Sequence, residues 1–145
     1  MKNYKELEVW QKSKRLTIDL YKATEAFPRV EQFGLTSQTR RAAVSVTANI
    51  AEGWGRGSTR EYVQCLLIAR GSLMELDTHL IIADELNYLQ SGHATKFQTQ
   101  IASVGQMLNR LIQALRARRP TQRTTPVAGL ENQSRTRIPN PESRD

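Results

Sequence analysis

The residues of this chain that could do chemistry are Glu52 and Glu75, His79 and His93, the lone Cys65, a glycine string at Gly53, Gly55 and Gly57, and several arginine clusters. Glu52 and Glu75 are both carboxylates on helix-forming segments and could in principle share acid/base work. A hydrogen-bonded structural pair is the stronger reading, because no catalytic constellation surrounds them. His79 and His93 fall on different sides of a turn without a ligand cluster, so no metal site is expected. The glycine string resembles a phosphate cradle, but it follows a helix rather than a strand and no Lys-Ser/Thr pair comes after it. A helix-to-helix turn accounts for it better, with the glycines at left-handed C-cap positions. A weaker phosphate reading survives, since the next helix starts with free amides beside Arg56 and Arg60. No enzyme activity and no cofactor are expected.

The most informative stretch is Leu35 to Gly53, LTSQTRRAAVSVTANIAEG. Gln38, Arg41, Ser45, Asn49, Glu52 and Arg56 recur at spacings of three and four, so they share one helical face. Small and amide side chains mixed with an arginine and a glutamate suggest a polar network against another helix, joined by Glu75. Arg40 and Arg41 point about 100 degrees apart. Arg41, on the stripe, is expected to pair with Glu75 or Glu52, and Arg40 to meet solvent or nucleic acid. Gly71 and Ser72 allow close helix approach. Trp10 and Trp54 read as packing anchors.

Four helices must position these groups. In the first, Val9, Ser13, Leu16, Leu20, Ala23 and Phe27 alternate spacings of four and three until Pro28 stops the helix. The second is the Leu35 segment, apolar at Leu35, Ala42, Ala43, Val46 and Ile50. The third opens on Ser58-Thr59-Arg60-Glu61, a capping box in which hydroxyl and carboxylate each satisfy a first-turn amide. Tyr62, Leu66, Ala69, Leu73, Leu76, Leu80 and Ala83 then form its seam. Val63, Leu67, Ile68, Met74, Ile81 and Ile82 lie off the seam, so this helix is expected to pack against its own chain and a second one. The fourth carries Phe97, Ile101, Val104, Leu108, Leu111 and Leu115. A repeat near 3.5 residues with short connections gives an all-α, antiparallel up-down-up-down four-helix bundle over residues 1–119. Residues 120–145 contain Pro120, Pro126, Pro139 and Pro141 with few apolar side chains, and read as a flexible tail.

Charge bounds the partners. The 145 residues carry a formal net charge of +7. Up to Leu115 there are fourteen Lys and Arg against eleven acids, and from Arg116 onward seven Arg against three acids. Such a balance favours anionic partners such as RNA or DNA. The run Arg116, Arg118, Arg119, Arg123 is either a solvated helix end favoured by the dipole or a nucleic-acid contact. The residues expected to touch phosphate are Arg40, Arg56, Arg60, Arg116, Arg118 and Arg119. One cysteine fits a reducing compartment. No secretory signal and no apolar run near the roughly 20 residues of a membrane helix is present, so a soluble, cytoplasmic protein without a membrane partner is expected.

The segments LEVWQKS at Leu7 to Ser13, Phe27-Pro28, FGLTSQTRRAAVSVTANIAEG at Phe33 to Gly53 and IARGSLMELDTHL at Ile68 to Leu80 carry a resemblance. The chain resembles the four-helix-bundle family encoded within intervening sequences of bacterial 23S ribosomal RNA genes. The accessory variability proteins of diversity-generating retroelements are similar to that family. Arg40, Arg41, Asn49, Glu52 and Gly53 match its pattern, and the tail beyond Arg119 lies outside it. The resemblance implies a cyclic homopentamer of bundles. For the retroelement relatives it implies binding to nucleic acid and to a reverse transcriptase; for most members it implies no established function. Two readings follow: a non-enzymatic, oligomeric accessory protein holding nucleic acid through phosphates with little sequence preference, or a homo-oligomeric scaffold for a protein partner.

Overall fold

The computed structural model describes residues 2–118. The expected tail, with Arg119 and Arg123, lies outside the described residues. Four helices follow one another: α1 Glu8–Thr24, α2 Leu35–Gly55, α3 Thr59–Glu85 and α4 His93–Arg116. No strand occurs among the described residues. Each helix packs on its chain neighbour, and α1 closes the bundle against α4. The short connections reverse direction each time, giving the up-down-up-down bundle. The start of α1, the end of α2, the start of α3 and the end of α4 therefore meet at one pole.

The seams fold as their spacing dictates. Leu16, Leu20, Val46, Ile50, Leu66, Leu73, Leu76, Phe97, Val104 and Leu108 are almost fully buried. Each contributes about 1.5–3 kcal/mol of apolar burial. On α4 the seam passes from Leu108 through buried Ile112 to buried Leu115, and Leu111 is only half-buried beside the core.

Three local expectations are corrected. α1 ends at Thr24, before Phe27. A residue preceding proline disfavours helical backbone, so the chain leaves α1 through turns, with the Phe27 amide on the Thr24 carbonyl at 3.1 Å. Phe27 is still buried, against Tyr88 with ring centroids 5.5 Å apart. Secondly, α2 runs through Gly53 to Gly55, and its cap Arg56 is extended. Gly53 is needed for proximity: an added Cβ would lie 2.8 Å from Tyr62 Cδ1 and 3.0 Å from Cys65 Cβ. Among the described glycines only Gly92, which caps α4, has a positive φ. Thirdly, the capping box forms by halves. Ser58 Oγ accepts the Glu61 amide at 3.2 Å, but the Glu61 carboxylate takes the Ser58 hydroxyl at 3.1 Å instead of an amide.

Candidate nucleic-acid interface

The pole where α3 begins and α4 ends carries the largest gathering of expected site residues. Arg60 stands in the first turn of α3; Arg116 and Arg118 close α4 and the turn after it. They line one groove of about 340 Å³ whose apolar wall is Val63 and Leu67 from α3 and Leu115 from α4. Gln64 and Thr59 also line it. Arg60 recurs with Gln64 and Leu67 at spacings of four and three, so one stripe of α3 supplies both charge and floor. Among the described residues, no carboxylate lies within 4 Å of Arg60, Arg116 or Arg118.

Helix electrostatics explain only part of this placement. A cation near a helix C-terminus is stabilised by the dipole, which suits Arg116. A cation in a helix first turn is disfavoured by the same dipole, so Arg60 gains nothing there from its own helix. Three guanidinium groups gathered without a carboxylate repel one another, and an anion in the groove relieves that repulsion. Nearby, burial pushes the Tyr62 phenol up, while the positive charge of Arg118 pulls it the other way.

Arg56 and Arg40 are differently placed. The Arg56 guanidinium meets Glu52 at 2.6 Å and Glu61 at 3.7 Å. Hydrogen bonding and charge from Glu52 hold it above its ordinary value. Its charge is already answered within the chain. Arg40 reaches back to the end of α1, donating from Nε to Thr24 Oγ1 at 2.9 Å and from Nη2 to the Tyr21 carbonyl at 3.1 Å. It also stacks over the Tyr21 ring at 4.7 Å. The two adjacent arginines thus exchange their expected roles. Arg40 is tied into the fold, and Arg41 is exposed with neither Glu52 nor Glu75 within 4 Å.

The polar stripe is a network only in part. Ser45 Oγ and Ser72 Oγ bridge α2 and α3 at 2.8 Å. Asn49 Nδ2 donates to the Ser45 carbonyl and hydroxyl within its own helix. Gln38, Arg41 and Glu75 instead line an open groove of about 390 Å³ with His79, whose Nδ1 is buried without a partner among the described residues. Trp10 packs edge-on with Tyr4 at 5.3 Å, and Trp54 with Tyr62 at 6.4 Å. Their placement fits packing anchors. Among the described residues, no three His, Cys, Asp or Glu side chains gather where they could hold a metal ion. No described helix is long and apolar enough to cross a membrane.

The sequence offered no signal for the Arg40–Thr24 contact, which joins residues on different helices. The floor of the basic groove was missed too, although Arg60, Gln64 and Leu67 share a helical register that was legible.

Fold and surface define an antiparallel four-helix-bundle protein with a basic pole. The model of the 23S rRNA-intervening sequence protein family matches residues 5–110, and the chain belongs to that family. Its fold is similar to the crystal structure of a protein of unknown function from the S23 ribosomal protein family of Bacteroides thetaiotaomicron. The two share 20% identity and a TM-score of 0.65, over 72% of this chain and 97% of that one. At that identity the likeness concerns the fold. No curated protein matches the chain significantly. Neither description names a catalytic activity. Leu115, Arg116 and Arg118 lie beyond the matched residues, so the α4 side of the basic groove belongs to a part of the chain outside the family match.

Proposed function

We propose that this protein is a non-enzymatic, oligomeric accessory factor of the cytoplasm that holds nucleic acid by its phosphates with little sequence preference. The observation that carries the reading is the convergence of Arg60, Arg116 and Arg118 on one groove without a carboxylate partner among the described residues. Arg40 and Arg56 contribute least, since their donors are engaged within the chain.

Oligomerisation is supported by the outer face of α3. Ile68, Met74, Ile81 and Ile82 are 44–62% exposed there, and an apolar patch of that kind marks an interface. A ring of five copies, and a reverse transcriptase as partner, rest on the resemblance to retroelement accessory proteins. A ring repeats the basic groove around its axis, so weak contacts add by avidity.

Anisotropy titrations of labelled RNA and DNA test the reading. Three phosphates per protomer give a salt slope of about −2.7 on duplex DNA, a weakening of about 40-fold between roughly 50 and 200 mM salt. Absence of binding at low salt would transfer the function to the second reading, a scaffold for a protein partner. That reading is favoured by the same exposed α3 face and by the groove of Gln38, Arg41 and Glu75.

A further inference from the structure

We infer that the basic groove selects single-stranded over duplex nucleic acid, an inference that rests on the phosphate-binding reading above. The groove joins two chemistries within about 340 Å³: guanidinium groups from Arg60, Arg116 and Arg118, and an apolar floor of Val63, Leu67 and Leu115. Val63 and Leu67 are half-buried at the edge of the core, so their outward sides meet whatever enters. A ligand that satisfies both must present an anion beside a flat, weakly hydrated surface.

A duplex offers phosphates and sugars on its outside and keeps its bases stacked within. Lying across the groove it would neutralise the arginines and leave the floor unfilled. A single strand has unstacked bases that can turn toward protein while their phosphates stay on the rim. One base on the floor removes apolar surface from water on both sides. The Arg60 and Arg116 guanidinium planes can flank it, as arginines do at single-stranded sites. Gln64, which donates and accepts through one amide, lines the same space and can meet any base edge. Among the described residues no aromatic side chain lines the groove, so the floor favours unstacked bases without favouring one base, in keeping with weak sequence preference.

The test uses the full-length protein, a labelled uridine oligonucleotide and a blunt RNA duplex of equal length, titrated at one low salt concentration. The wild-type chain binds the single strand about tenfold more tightly, which is what one base covering roughly 55 Å² of the apolar floor contributes. Val63→Thr with Leu67→Gln makes the floor polar while keeping every arginine. It weakens single-strand binding until that tenfold preference is lost, with folding checked by thermal melting. Val63→Thr alone, which preserves side-chain shape, reduces the preference in part and serves if the double variant is unstable. Arg60→Ala with Arg116→Ala weakens both ligands together. Equal affinity for strand and duplex in the wild type, or a floor variant that keeps the preference, overturns the inference and leaves phosphate binding standing. Failure to bind either ligand overturns the phosphate reading itself and the inference with it. Displacement of the oligonucleotide by polyglutamate at equal charge also overturns the inference, since it shows that charge alone fills the groove.

Discussion

Replacing Gly53 by alanine places a methyl group where α2 and α3 already touch. The new Cβ would lie 2.8 Å from Tyr62 Cδ1, 3.0 Å from Cys65 Cβ and 3.2 Å from the Tyr62 carbonyl oxygen. The Tyr62 ring can swing aside, but the Cys65 Cβ and the carbonyl move only with the α3 backbone. Overpacking of this kind costs about 1–3 kcal/mol, and rigid obstacles put it at the upper end. The gain of about 1 kcal/mol from alanine in a helix offsets part of that. The net cost is about 2 kcal/mol, or a fall of about 8 °C in Tm at about 4 °C per kcal/mol. Gly71→Ala is the internal control. Among the described residues of its own protomer nothing lies within 4 Å of its added Cβ, so it keeps the helix gain and raises Tm by about 4 °C. Paired thermal melts followed by circular dichroism at 222 nm measure both. Displacing the first turns of α3 also separates Arg60 from Arg116 and Arg118, so Gly53→Ala weakens oligonucleotide binding as well. A Gly53→Ala protein that melts at or above the wild-type temperature refutes the reasoning, because the α2–α3 approach would then have slack.

Arg40→Ala removes the 2.9 Å and 3.1 Å bonds to the end of α1, lowering stability by about 1–3 kcal/mol in urea titrations while leaving oligonucleotide affinity unchanged. Loss of affinity without loss of stability would return Arg40 to the nucleic-acid interface. Burial holds the Tyr62 phenol above its ordinary value of about 10. The unfolded chain therefore releases this proton first, and the contribution present below about pH 10 is lost as pH rises through the raised folded value. Tyr62→Phe flattens that alkaline fall. At neutral pH it adds about 1 kcal/mol, because the buried hydroxyl has no partner among the described residues. Urea midpoints between about pH 8 and 11 read both effects. Met74→Glu and Ile82→Glu, at positions 62% and 44% exposed, give a smaller species in light scattering with the bundle still folded; an unchanged mass would move the interface off α3.

The helices and their seams were legible because each depends on residues close in sequence. Leu66, Ala69, Leu73, Leu76, Leu80 and Ala83 must share a face whatever surrounds them, and all six are buried. Ser58 had to cap α3, since its hydroxyl needs only the amide three residues on. The basic excess at Arg116 and Arg118 was likewise plain in composition. What the chain could not reveal alone were contacts joining distant residues. Arg40 and Arg41 have the same chemistry, and only the position of Thr24 and Tyr21 on the neighbouring helix decides which is held and which is free. Gly53 looked like a chain-reversal glycine, whereas the approach of Tyr62 and Cys65 makes it a contact glycine within α2. Arg60 and Arg116, 56 positions apart in the chain, share a groove because the single reversal between α3 and α4 returns the end of α4 to the pole where α3 begins. Local backbone preferences determined the helices; antiparallel packing decided which charges became neighbours.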